Sequence, residues 1–521
     1  MFSGVKEMTM LDKTHDANRN RALIDNLLGD AISLKQISKE TEELFKAVKR
    51  EVVPSSTAGR KTIHEKLWSL LSIDYTVNDT SEYGQQIEGK EFIPDWKEEL
   101  DQQYQQLENR VENHVNVEDF GAIGDGLTDC TKAFQNAIGT GKVHVHVPAG
   151  VYLVKRIRLP SWTRLTGEGM GVTTVRLHGK APKRRTLLSN ANFVKGNRNI
   201  AVERLTLDWN MERLENPKKT STFGNASSCF VFANVKFGWA FEVEGLDPGL
   251  HCFDLTSPLY NYGGDGSRAR GGSSFIWLDK VKGSGFGDDG VTTHHSEYLF
   301  VSNSHFCDPS GKAHREGFSN SNGIEVDDGS KHVWLSNNSS ARCFGGVEIK
   351  AHHNSSAASG VYISGHLSVN VNRSFNFRHI GHHSEEDPES KSAFNIKAQR
   401  LVSVAPVFTN LYRKSSPRAL VISGYRNVAI NRFLFIGNRD YDYRGNPVTS
   451  VQYRAANIGL KNGQIKDFRT SGAAISIAGG SNNINSVLVQ NINVSGQAAK
   501  AIKIGTRSEH VIVKEIFQKE E

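Results

Sequence analysis

The sequence predicts a mainly β chain: a right-handed, single-stranded parallel β-helix behind an N-terminal α-helical region and a short coiled-coil neck. Three observations carry this. Among 521 residues, 48 Gly stand against only 13 Pro, with apolar residues at 38%, which suits many short strands joined by tight turns. Segments of the form apolar-x-apolar recur from about residue 116 to 515 at spacings of roughly 20 to 30 residues. The helical period, by contrast, is confined to the first 115 residues.

In chain order, residues 1–92 read as a helical region. "RALIDNLLGDAISLKQISKETEELFKAVKREV" carries Leu and Ile at three- and four-residue spacing, and "KTIHEKLWSLLSI" repeats the pattern after the breaker "PSSTAG". Residues 93–115 follow as a neck, because "IPDWKEELDQQYQQLENRVENHV" sets Trp96, Leu100, Tyr104, Leu107, Val111 and Val115 on one narrow stripe among charged and Gln-rich faces. Such a stripe suits a coiled coil between chains; the alternative is a surface helix lying on its own domain. "VEDFGAIGDGLTDCTKAFQNAI" then opens residues 116–515. A solenoid exposes its core at the first coil and needs a lid, and a helix Thr131–Ile138 would lay Ala133, Phe134, Ala137 and Ile138 over it. Thr128 or Asp129 would cap that helix, so the acids of this stretch read as structural.

The repeating segments are Val291-Thr292-Thr293, Ile324-Glu325-Val326, Val347-Glu348-Ile349, Phe375-Asn376-Phe377, Phe394-Asn395-Ile396, Leu420-Val421-Ile422, Ile475-Ser476-Ile477 and Ile502-Lys503-Ile504. The step from Leu420 to Ile475 is about two units long. A β-propeller would need four strands in about 40 to 50 residues, which these units are too short to supply.

The stretch "FGAIGDGLTDCTKAFQNAI", followed by "VHVPAGVYLV" and "LTGEGMGVTTV", resembles the first coil of the pectate-lyase-like β-helix superfamily, in the branch of bacteriophage tailspikes and neck appendages. That resemblance implies a virion protein of the tail or neck, a homotrimer, whose N-terminal region meets other tail or baseplate proteins and whose β-helix binds and degrades a bacterial cell-surface glycopolymer such as teichoic acid or a capsule. The absence of an apolar leader in "MFSGVKEMTMLDKTHDANRNR" agrees with synthesis in the host cytoplasm and release by lysis. Five scattered cysteines without a C-x-x-C pair read as buried thiols. No apolar run reaches the ~18 residues of a membrane span, and no cluster of basic and stacking residues points to nucleic acid. The net charge of +7 suits a polyanionic partner without demanding one.

In each apolar-x-apolar strand the x residue faces away from the coil, and equivalent strands stack these into ladders. Thr292, Glu325, Glu348, Asn376 and Asn395 would form one such solvent-facing ladder, with Asp327 and Lys350 in the next. Glu325 and Glu348 on adjacent coils would stand about 5 Å apart, the spacing of a retaining glycosidase pair. "GFGDDGVTT" adds Asp288 and Asp289 just ahead, giving five candidate catalytic acids: Asp288, Asp289, Glu325, Asp327 and Glu348. Candidate substrate contacts are Lys350, His352, Trp277 and His294; Trp209, Trp239 and Trp334 are further stacking candidates. The same region is similar to the polygalacturonase pattern, with Asp289 on the Asp of its first motif, but Ser321 and Asn322 stand where the second motif has paired Asp. The paired histidines His294-His295, His352-His353 and His382-His383 do not chelate one metal when they lie in strands, since neighbours face opposite ways. No metal ligand set and no required cofactor is expected; the alternative for the acids is solvation or Ca²⁺ binding. A non-enzymatic receptor-binding spike and a bacterial polysaccharide hydrolase or lyase are the competing functions.

Overall fold

A computed structural model describes residues 11–29, 32–51, 84–89, 91–215, 219–222, 226–261, 265, 269–352, 355–379, 393–480, 482–496 and 500–519. The repeat "KTIHEKLWSLLSI" and the pair His382-His383 lie outside them.

From Asn113 to Lys519 the chain winds as a parallel β-helix. One face is a twelve-stranded sheet among the described residues, in which each coil adds one short strand, through Phe253–Thr256, Val291–Thr293, Asn322–Val326, Gly345–Ala351, Arg373–His379 and Arg418–Ser423. The long step after Leu420 is filled by Thr449–Gln452, which pairs on both sides, so it is two units. The other faces come from strands of 11 or 12 residues with a left-handed residue near the start and another at a mid-strand bend, the latter being Arg400 (φ 57°), Arg432 (56°), Asn462 (56°) and Asn491 (54°) in successive coils. Asn is among the few non-Gly residues that tolerate this conformation, and here its side chain repays the strain by laddering: Asn491 Nδ2 donates to Asn462 Oδ1 at 2.7 Å, and Asn462 Nδ2 to Asn431 Oδ1 at 2.9 Å. Ile324, Val326, Val347, Ile349, Phe375, Phe377, Leu420 and Ile422 fill the coil interior and are fully buried.

The lid forms as expected. Helix Thr131–Ile138 buries Ala133, Phe134, Ala137 and Ile138; its N-cap is Cys130 rather than Thr128 or Asp129, and Asp129, one residue earlier, accepts from the Thr131 amide at 3.1 Å. Asp129 also pairs with Lys155 at 2.7 Å and Asp125 accepts from the Leu127 and Thr128 amides, so these acids hold the first coil together. All five cysteines are free and buried.

Two expectations are corrected. The neck stripe does not face another chain: helix Lys97–Arg110 lies on this chain's own sheet, with Leu100 and Leu107 fully buried. Ala201, Phe237, Trp239, Phe300, Trp334 and Tyr362 make an apolar outer face that this helix shares with Ile93 and Trp96 just ahead of it. The Trp96 ring meets Phe275, Tyr298 and Trp334 edge-on at 5.7–6.5 Å. Nor do the described helices before it form a separate unit. Helix Asn20–Leu28 buries Ile24 and Leu28 on Leu367, Val402, Leu434 and neighbours, and helix Leu34–Val48 buries Leu44 and Phe45 against Ala429. Arg432 pairs with Glu40 at 2.9 Å, and Thr41 Oγ1 donates to Gln399 at 2.6 Å.

Candidate functional site

The x residues of the short-strand sheet do stack, in the order Asp254, Thr292, Glu325, Glu348, Asn376, Val421. Asn395 is not among them: its strand, Phe394–Val404, belongs to the other sheet, where Asn395 at φ 61° accepts from Asn427 in a separate corner ladder. The ladder is also not solvent-facing. Thr292, Glu325, Glu348 and Asn376 are buried because two connections close over them, joined by the Phe318–Tyr412 bridge, by Ser319 N donating to Leu411 O at 2.8 Å, and by Phe344 packed on Tyr412.

Under this cover is a cavity of about 550 Å³ lined by Asp288, His294, Glu325, Asp327, Lys350 and His352, six of the nine expected site residues. Its wall also holds His251, His314, Arg373, Arg378 and Lys414, which come from other coils and loops and carry no local motif. Three expected residues are elsewhere. Glu348 lies beneath the cavity as the counter-ion of Arg378, also accepting from Asn376 at 2.8 Å and Asn322 at 2.9 Å. Asp289 is buried behind the wall, where Oδ1 accepts from the Asn322 amide at 2.8 Å. Trp277 belongs to the sheet under the helix Lys97–Arg110, stacked on Phe300 with Lys97 Nζ 4.7 Å from its ring. Trp209, Trp239 and Trp334 are buried as well and offer no sugar platform.

At the centre, Lys350 Nζ stands 3.1 Å from both Glu325 and Asp327. One oxygen of each acid and a ring nitrogen of His294 lie within 4.8 Å of one another. The two acids diverge in proton affinity. Burial raises Glu325 to about 7, with Asp327, Glu348 and Asp288 adding to the rise and Lys350 opposing it. Burial would raise Asp327 too, but Lys350, His352 and His294 outweigh it and hold it well below the ordinary carboxylate range. His352 is raised despite burial, chiefly by Asp327, and Asp328 Oδ2 meets its Nδ1 at 3.0 Å. His294, stacked on Tyr260 at 3.7 Å, is driven well below its usual value by burial. A neutral acid beside a carboxylate, tied by one ammonium, is an arrangement capable of giving and taking a proton.

The cavity's far wall is cationic. Burial, then the charges of Arg418 and Arg378, lowers Arg373 to about 9, so that wall is short of negative charge.

The fold and this covered cleft define a pectate-lyase-like β-helix protein, and residues 114–245 match the family model described as rhamnogalacturonase A/epimerase, pectate lyase-like. Over 434 residues the chain is 38% identical to the pre-neck appendage protein of Bacillus phage phi29, covering 82% of this chain and 50% of that one. It is 46% identical over 412 residues to the phage-related protein YobO of Bacillus subtilis (strain 168), covering 78% and 50%. The chain belongs to the phage neck-appendage type of this β-helix class. Among solved structures, the N-terminal fragment of phi29 gene product 12 superposes with a TM-score of 0.72 at 37% identity, covering 77% of this chain and 66% of that one. The A-module of the Azotobacter vinelandii mannuronan C-5 epimerase AlgE6, at 15% identity and a TM-score of 0.54 over 78% of this chain and 99% of that one, shares the fold alone. The chain spans about half the length of the curated relatives it matches. No helix among the described residues is long and apolar enough to cross a membrane.

Proposed function

We propose that this chain is part of a virion appendage that binds an anionic bacterial cell-surface glycopolymer, of the teichoic acid or acidic capsule class, and hydrolyses it in the covered cleft. The observation that carries the reading is the Glu325–Lys350–Asp327 cluster facing a wall of Arg373, Arg378 and Lys414. Glu325, about half protonated at pH 7, gives its proton to the leaving oxygen as the polymer bond breaks, and Asp327, ionised, takes the severed group on a carboxylate oxygen until a water, deprotonated by Glu325, releases it and restores both acids. The arginines and Lys414 hold the polymer's acidic groups. His352 positions Asp327 from 3.6 Å. The appendage relatives support placement on the virion. Association with other virion components follows from that placement, while the homotrimer loses its neck argument and rests on family resemblance. Ca²⁺ has no part in the proposed step.

The test is mass spectrometry of products after incubation with teichoic acids, capsules and pectins, beside Glu325→Gln. Defined oligomers from one polymer, lost in the variant, are expected. Binding without cleavage by the parent chain would establish the receptor-binding spike instead.

A further inference from the structure

Behind the cleft wall, two acids and an imidazole converge without a hydrogen bond between them. His251 Nε2 lies 3.8 Å from Asp288 Oδ2 and 3.7 Å from Asp289 Oδ2, and the three atoms fall within 4.8 Å of one another. The other end of each group is tied down. His251 Nδ1 meets Asp254 Oδ2 at 3.0 Å, Asp288 Oδ1 meets His314 Nε2 at 2.8 Å, and Asp289 Oδ1 accepts from the Asn322 amide and side chain at 2.8 and 3.0 Å. Each group therefore has one orienting contact outside and one lone pair turned inward, the pattern in which a carboxylate behind a histidine fixes the tautomer of a metal ligand. Asp289 Oδ2 is buried and has no hydrogen-bond partner, a costly condition for a carboxylate oxygen.

Spacing and charge both fit an ion at the centre. Ligand atoms about 2.1 Å from a metal and spread at wide angles stand roughly 3.4 to 3.7 Å apart, close to the gaps measured here. Asp254, Asp288 and Asp289 bring three carboxylates to two imidazoles, His251 and His314, so the acids outnumber the bases around the centre. The backbone holds the ligands in place: the Asp288 amide donates to Leu250 O at 2.9 Å and the Cys252 amide to Asp289 O at 3.2 Å, locking the Asp288-Asp289 turn to the preceding coil beside His251. An imidazole with two carboxylates selects a borderline ion such as Zn²⁺ or Mn²⁺ over Ca²⁺, which takes oxygen ligands in larger number. His251 and Asp288 also line the cleft, which supplies an entry path and an open coordination position.

We propose that His251, Asp288 and Asp289 bind a divalent transition-metal ion at the back of the cleft. The site shares no residue with the Glu325–Asp327 pair, so it stands or falls apart from the hydrolysis reading.

The experiment is calorimetric titration of the chelator-stripped full chain at pH 7.5 with Zn²⁺, and separately with Ca²⁺. One equivalent of Zn²⁺ is expected, with Ca²⁺ at least tenfold weaker. Asp289→Asn keeps the acceptor for Asn322 and should weaken Zn²⁺ about 100-fold, while Lys132→Ala on the exposed face of the lid helix leaves it unchanged. X-ray absorption of the zinc-loaded parent chain should show one imidazole and two carboxylate oxygens, a readout independent of whether the variant folds. The proposal is overturned if the folded parent takes up no stoichiometric Zn²⁺, or if the absorption spectrum shows a different ligand set. In that case the positive charge in the cluster is the imidazolium of His251 itself, which Asp254 and Asp288 raise to about 9 against the opposing effect of burial.

Discussion

Glu325 and Glu348 are neighbours in one ladder, yet their surroundings divide them. Glu325 borders the cleft with a proton affinity near neutrality, so turnover should fall as pH rises through about 7, where the donor loses its proton. On the acid side, Asp327 stays ionised well below the ordinary carboxylate range and sets no limit near neutrality. A pH profile of kcat/KM rising with pH between 6 and 8 would refute the assignment of Glu325 as the donor. Glu348→Gln should act on stability rather than chemistry. It strips Arg378 of its counter-ion at a cost of about 2 kcal/mol, below the value for a fully buried pair because Arg378 is 32% exposed. Urea unfolding of that variant beside Glu325→Gln separates the two roles. At this scale the sequence showed the ladder through its alternation, but not which rungs reach a cavity. Glu325, Glu348 and Asp327 look alike as outward acids; only the placement of Arg378, Asn376 and Asn322 around Glu348 decides that it is a buried counter-ion while Glu325 and Asp327 line the cavity. His251 and His314 left no signal, because they stand in loops 37 and 26 residues away from Asp288, which both meet across coils.

The helices teach a different lesson about elements. Their apolar stripes are legible at three- and four-residue spacing, and helix Lys97–Arg110 falls within the expected segment. A stripe states that a face must be covered and not by what. Here the outer surface of the β-helix is itself apolar along Trp239, Phe300, Trp334 and Tyr362, and satisfies the stripe within the chain. The same holds for helix Leu34–Val48, which approaches so closely at Gly459 that a Cβ there would sit 2.8 Å from Leu44. Phe45→Ala should cost about 3 kcal/mol of docking energy. Hydrogen exchange should then speed up across Leu34–Val48 while strand Arg426–Ile436 keeps its protection; equal loss in both would mean that helix and strand unfold as one unit.

Over the whole molecule, the strands of each coil pair only with those of the adjacent coils, so the ends bear a burden the middle does not. Phe134→Asp should uncover the first coil's core and produce soluble aggregates by light scattering, whereas Lys132→Asp on the exposed face of the same helix should leave the protein monodisperse. Equal behaviour of the two variants would show that the helix is not a lid. The period of the solenoid, its first-coil lid, the doubled step after Leu420 and the sheet that carries Glu325 and Asp327 were all determined by sequence alone, because alternation, glycine-rich turns and a helix of eight residues are local patterns. Tertiary structure alone decided that the neck stripe turns inward, that Asn395 leaves the ladder, that the outward acids are roofed, and that His251, Arg373 and Arg378 join them. Those outcomes depend on which coils and connections meet, and residues brought together from as far apart as Phe318 and Tyr412, or Trp96 and Trp334, leave no mark in the stretch where each one sits.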